Sequence, residues 1–146
     1  MNAIEQHIQQ IIRLAGLAQI MLMLGSVAIP KILNWAGELA KTRALIKQMF
    51  WTYAAYILVI NLCFGAVSLC DASDLTNGSR LAMLVNGFIA VYWISRVLIQ
   101  FFYFDRTDFP TGKWNRAGEV VLVAVFVFLS AVYSLACYYN YSYNLS

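Results

Sequence analysis

Charge is scarce in this chain. Ten basic and seven acidic side chains are spread over 146 residues, 12% of the total, against about a quarter in an ordinary globular domain. The stretches 49–70 and 120–143 hold no Asp, Glu, Lys or Arg, so helices formed there lack the charged face that a water-soluble helical domain needs. Histidine is scarcer still. His7 stands alone, which rules out bis-histidine haem and His-based metal centres built within one chain. The three cysteines, Cys63, Cys70 and Cys137, make neither a C-x-x-C pair nor a zinc set. Walker A, G-x-G-x-x-G, G-x-S-x-G and H-E-x-x-H patterns are missing. The sequence therefore names no catalytic residue and calls for no cofactor, no metal and no nucleic-acid partner.

Apolar length is what the chain does have. It is 62% hydrophobic, and an uncharged apolar stretch of about 18 residues or more reads as a membrane-spanning helix. Four spans follow, at about 14–29, 49–70, 81–104 and 118–138. The first is closed by Pro30, and the third has to accommodate Asn86, Arg96 and Gln100. Strands of a membrane β-barrel would alternate polar and apolar over about ten residues, and these segments do not. Ser26-Val27-Ala28 has the small-x-small form of a signal-peptidase site. The long segment before it contains Glu5 and no basic residue except Arg13, so the first span is read as retained. The expected fold is an all-α integral membrane protein: one domain, 1–146, with four transmembrane helices joined by short loops in an up-down-up-down bundle.

Lys31, Lys41, Arg43 and Lys47 lie in the first loop and Arg106, Lys113 and Arg116 in the third, while the second loop has only Arg80. Basic residues are retained on the cytoplasmic side. Loops one and three are therefore expected inside and both termini outside, in the cytoplasmic membrane if the source is a bacterium. Trp51 and Trp114 at one interface and Tyr138, Tyr139, Tyr141 and Tyr143 at the other match the aromatic belts of a membrane protein. Within loop one, helical spacing puts Lys31, Asn34, Glu38 and Lys41 on one side. Ile32, Leu33, Ala36, Leu39 and Ala40 fall on the other, with Trp35 at the boundary. This predicts a short interfacial helix over 31–41.

Small residues mark the expected packing seams: Ala18 and Gly25 on span one, Asn61, Gly65 and Ser68 on span two, Ala117, Ala124 and Ala131 on span four. Span three carries the polar residues. Asn86, Trp93, Arg96, Gln100 and Tyr103 follow one another at steps of seven, three, four and three, which places them on one helix face. Such a face points into the bundle, a cavity or a partner, because lipid cannot satisfy it. Arg96 stands eight residues before Phe104, about 12 Å inside that boundary. Glu119 is the nearest counter-charge in the sequence, with Asp105 and Asp108 shallower. Arg96 then either fixes the packing of spans three and four through a salt bridge, or serves an anion or headgroup site. Loop three, "DRTDFPTGKWNRAGE", carries a β-turn pattern at 109–112 and is either a docking surface or simply solvated. Cys70 and Cys137 end spans two and four on the outer side, where a disulfide between them is conceivable.

In size, span count and outside termini the chain resembles the membrane-associated eicosanoid and glutathione metabolism family. It is similar also in an arginine followed by aromatics in the third span, here Arg96, Phe101 and Tyr103. The resemblance implies glutathione conjugation in a homotrimer. It is architectural: where that family's second span opens on a basic, Asn- and Glu-bearing signature, "RALIKQMFWTY" keeps Arg43 and has neither Asn nor acid.

Three functions are compatible with these residues. The leading one is a non-catalytic subunit that assembles with itself or with other membrane subunits, its remaining partners being membrane lipids. The second is an enzyme or binder of lipophilic substrates at the cytoplasmic interface. The third is a small oligomeric transporter with Arg96 as its anion site. The orientation is directly testable. Reporter fusions after Asn77 and after Ser146 are expected to behave as external; an active cytoplasmic reporter at Ser146 would reverse the assignment.

Overall fold

The computed structural model describes residues 3–104 and 112–145. All regular structure among them is helical: α1 (Ala3–Ser26), α2 (Ile29–Ile32), α3 (Trp35–Ala40), α4 (Ala44–Cys70), a single 3-10 turn (Asp74–Thr76), α5 (Arg80–Phe102) and α6 (Lys113–Leu145). By length and composition, α1 continued by α2, α4, α5 and α6 can each cross a membrane. At 33 residues, α6 extends about 50 Å and outruns a hydrocarbon core of about 30 Å.

Helix α1 begins well before the expected position 14. Its first turns carry Glu5, Gln6 and His7, which read as a polar tail, yet Gln9, Ile12, Gly16 and Gln19 recur at helical spacing and form its buried face. Nor does Pro30 close it. The helix ends at Ser26, and Pro30 sits in the first turn of α2, where a missing N–H leaves nothing unsatisfied. The single interfacial helix expected over 31–41 is broken in two. Asn34 takes a left-handed conformation with φ 49° and ψ 42°, which asparagine tolerates better than most residues. The break turns Trp35 onto Phe50 and Trp51, with ring centroids 4.8 and 6.0 Å away.

Helix α1 packs on α4, α5 on α6, and α1 also on α6. Between α4 and α5 the contact is aromatic, with Phe64 set edge-on to Phe88 and Tyr92 at 5.9 and 5.4 Å. The core is built on Ile12, Ala15, Ile89, Trp93, Leu129, Tyr133 and Ala136. Among the described residues, every buried one apart from Gln100 falls within 9–19, 61–93 and 129–140. The helices are thus closely packed at the end that carries residues 71–79 and open at the other.

The closest approach is between α1 and α4. A Cβ placed on Gly16 would lie 2.9 Å from both the Gly65 carbonyl oxygen and the Ser68 Cβ, and one on Gly65 would lie 2.7 Å from Ile20. The seam expected on α4 (Asn61, Gly65, Ser68) is therefore the buried one. On α1, Ala18 packs against the core but Gly25 meets nothing, and Gly16 takes its place. Ala117, Ala124 and Ala131 are all exposed. A helix that is apolar all round has no moment to set the phase of its inner face, which on α6 runs through Leu129, Val132, Tyr133, Ala136 and Asn140. Gly16→Ala should accordingly cost about 1–3 kcal/mol through overpacking. Gly25→Ala should be neutral or gain up to about 1 kcal/mol of helix propensity. Thermal unfolding in detergent distinguishes the two signs.

Candidate functional site

Steps of seven put Asn86, Trp93 and Gln100 on one line of α5, and all three are buried. They meet three different surroundings. Asn86, 0% exposed, donates Nδ2 to the carbonyls of Leu75 and Ala82, both at 2.8 Å. Trp93 packs between Tyr92 and Phe126, at 5.2 and 5.4 Å, and its Nε1 has no hydrogen-bond partner among the described residues. Gln100 donates Nε2 to Glu119 Oε1 at 3.4 Å.

Arg96 is half-buried and joined to Tyr92. Its Nη2 donates to the Tyr92 hydroxyl at 3.4 Å, and the guanidinium carbon lies 5.6 Å from the centroid of that ring. Glu119 is engaged by Gln100 instead. The reason is directional: side chains on a helix lean toward its N-terminus, so Arg96 leans back a turn to Tyr92, while Gln100, one turn later, is the residue that meets Glu119. Tyr103 is 81% exposed, edge-on to Phe104 at 6.3 Å, and joins no polar cluster among the described residues. Asp105, Asp108 and most of the 109–112 turn lie outside the described residues.

The polar contacts with the widest reach were not evident in the sequence. The Tyr133 hydroxyl on α6 accepts from Gln19 Nε2 on α1 and lies 2.6 Å from Ser68 Oγ on α4, so one phenol joins three helices. At the closed end the Leu75 carbonyl also accepts from Asn140 Nδ2 at 2.8 Å. Asn140 Oδ1 in turn accepts from the Gly78 N–H at 2.9 Å, and Asn144 Nδ2 donates to the Gly78 carbonyl at 2.6 Å. Gly78 has φ +73°, and a Cβ there would fall 2.1 Å from the Tyr143 ring. Only glycine fits. Asn140 and Asn144, each of which opens an N-x-S glycosylation pattern in the sequence, are thus structural amides, the first 0% exposed. A signal was there to be read: Tyr133 and Asn140 sit seven apart in the uncharged stretch 120–143, as an inward-facing polar line would.

All three cysteines are free. The Cys70–Cys137 disulfide is not formed, because α4 packs on α1 at this end while Cys137 turns toward α5, its Sγ 3.3 Å from where a Gly87 Cβ would be. Cys137, Gly87, Ala90, Ser134 and Tyr138 line an open apolar groove of about 400 Å³ between α5 and α6. Among the described residues no three His, Cys, Asp or Glu side chains are grouped to hold a metal ion. The chain matches no model of a known protein family, no curated protein and no solved structure.

What these side chains do is hold helices and a connecting segment together. Asn140→Ala should cost about 1–3 kcal/mol for the Gly78 N–H it strands, and should speed amide exchange across 75–79. Unchanged stability together with unchanged exchange would show that the segment holds without it.

Proposed function

We propose that the chain is a small multi-pass membrane protein, folded as an up-down-up-down bundle, whose role is non-catalytic assembly with copies of itself or with other membrane subunits. The order of the contacts supports the bundle. Along α1 and α4 they run from Gly16 by Ser68 to Ile20 by Gly65. Along α5 and α6 they run from Gly87 by Cys137, through Trp93 by Phe126, to Gln100 by Glu119. Within each of these two pairs the helices run in opposite directions, which supports the bundle, and the basic residues of loops one and three argue for the ends they join being cytoplasmic, with both termini outside.

One residue carries the assembly reading. Exposed apolar side chains ask for nothing in lipid, but Tyr56 is different. It lies twelve residues into the 27 of α4, seven residues inside the uncharged stretch 49–70, is 64% exposed, and its hydroxyl has no partner among the described residues. No residue of α4 from 44 to 60 is buried. A hydroxyl held in hydrocarbon without a partner costs about 1–3 kcal/mol, which a polar group on a neighbouring chain removes. In a chain whose native cysteines are changed to Ala, Tyr56→Cys is expected to give an oxidant-dependent disulfide dimer in membranes. Should a different subunit cover this face, Tyr56→Phe is expected to weaken its co-purification instead. A monomer unaffected by oxidant, with no co-purifying chain, overturns the reading.

A further inference from the structure

Two Asn-Gly pairs stand in the chain, Asn77-Gly78 and Asn86-Gly87, and the pair has a chemical weakness. The main-chain nitrogen that follows an asparagine can attack the side-chain amide of that asparagine, and glycine, having no side chain, obstructs the attack least. Asn86-Gly87 is wound into α5 with the asparagine buried, its main-chain amide held in the helix ladder. Asn77-Gly78 lies in the segment between α4 and α5, and Asn77 is exposed. The fold calls for both residues there. Gly78 has φ +73° and lies under the Tyr143 ring, where no Cβ can be placed. Asn77 Oδ1 accepts from the Ser79 N–H at 2.9 Å, and Ser79 in turn caps α5 by accepting from the Ala82 N–H.

The same bonds restrain the reaction. The Gly78 nitrogen becomes a nucleophile only after losing its proton, because resonance otherwise ties up its lone pair, and that proton is given to Asn140 Oδ1 at 2.9 Å in a buried bond. The Gly78 carbonyl is held by Asn144 Nδ2 at 2.6 Å. The reaction therefore requires the segment to let go of α6. We propose that Asn77 is a site of spontaneous modification that Asn140 and Asn144 keep closed, and that modification there unfastens the segment irreversibly. Once 75–79 opens, hydroxide takes the Gly78 amide proton, the nitrogen bonds to Asn77 Cγ, and the Cγ–Nδ2 bond breaks, ammonia leaving with a proton from water. Water then opens the cyclic imide at one carbonyl or the other, giving aspartate or isoaspartate; nothing is oxidised or reduced. Isoaspartate routes the main chain through the former side chain and so lengthens it by a carbon just before Gly78. The Gly78 N–H and carbonyl then no longer register with Asn140 and Asn144, and the segment does not reclose. All of these residues belong to one chain, so the site is independent of assembly through α4.

The test keeps the full chain folded in dodecyl maltoside micelles in alkaline buffer. It reads amide loss at both Asn-Gly pairs by peptide mass spectrometry, with enzymatic methyl labelling of isoaspartate. The same chain unfolded in urea and sodium dodecyl sulfate gives the unrestrained rate. In the folded wild type, Asn77 should react about a hundredfold or more slower than in the unfolded chain, because the rate follows the fraction of time the segment is open. Asn140→Ala should raise the folded rate at Asn77 about tenfold and leave Asn86 unchanged, since α5 stays wound. Should Asn140→Ala not fold, Asn144→Ala, which removes the bond to the Gly78 carbonyl, should raise loss at Asn77 several-fold. The isoaspartate fraction of wild type, separated by its added charge, should unfold at a lower temperature than the parent; an equal temperature would overturn the irreversible step. Three results would each overturn the site: equal loss at Asn77 in folded and unfolded wild type, no rise at Asn77 in a folded variant, or a rise at Asn86 that matches it.

Discussion

A carbonyl oxygen that cannot reach water has to be met by a donor from the protein itself, and the carbonyl of Leu75 is met twice. Asn86 comes to it from α5 and Asn140 from α6. Each asparagine spends its other amide hydrogen on the carbonyl four residues back in its own helix, so neither can turn away without leaving a buried group unpaired. Asn140 then closes the circuit by accepting from Gly78. A segment that in most proteins would be solvated is instead folded in, with Ala72, Leu75, Thr76 and Gly78 buried. It acts as a plate to which the ends of α5 and α6 are fixed. Their register follows, and with it which residues along the rest of the two helices can meet.

The second fixture lies deeper and depends on glycine. Gly16 and Gly65 bring the backbones of α1 and α4 close enough for Gln19 and Ser68 to reach one hydroxyl on α6. Tyr133 has one proton to give and lone pairs to accept with. It accepts from Gln19, and between it and Ser68 one hydroxyl gives and the other takes. Gln19 Oε1 is left without a partner among the described residues. Turning that amide over would only exchange an unmet acceptor for an unmet donor. Both fixtures lie in the same half of the molecule, which is why burial stops where it does. Beyond Phe64 and Trp93 no polar group or glycine contact among the described residues draws α4 toward its neighbours, and in a membrane lipid would solvate its apolar surface as readily as protein.

Four helices long and apolar enough to cross a membrane were legible in the sequence because their signal is length without charge, which no packing detail alters. What packs on what was much less so. The line Asn61, Gly65, Ser68 was readable because polar and small residues coincide on one face. Ala117, Ala124 and Ala131 had the right spacing with nothing polar to say which way they faced, and they face outward. The charges of residues 71–80 say nothing of their fold, although Asn77-Gly78 and the two asparagines Asn140 and Asn144 hold the information that this segment folds inward. For Arg96 and Glu119, position along the helix suggested a pair. Direction decided otherwise, and direction does not appear in a count of residues.

That direction has an energetic consequence. Side chains lean toward the N-terminus of their helix, so an arginine near the start of a span is carried toward the nearer surface and one near the end is carried inward. Arg96 is of the second kind. Stacking on the Tyr92 ring returns about 0.5–2 kcal/mol, whereas an arginine at the centre of a membrane helix costs about 2.5–3.5 kcal/mol on insertion scales and more in simulation. Those scales already include partial escape to the interface, which the contact with Tyr92 forgoes. The ring alone therefore does not offset the charge. Among the described residues Arg96 is therefore half-buried with a single hydrogen bond at 3.4 Å, held inward at a net cost to the fold.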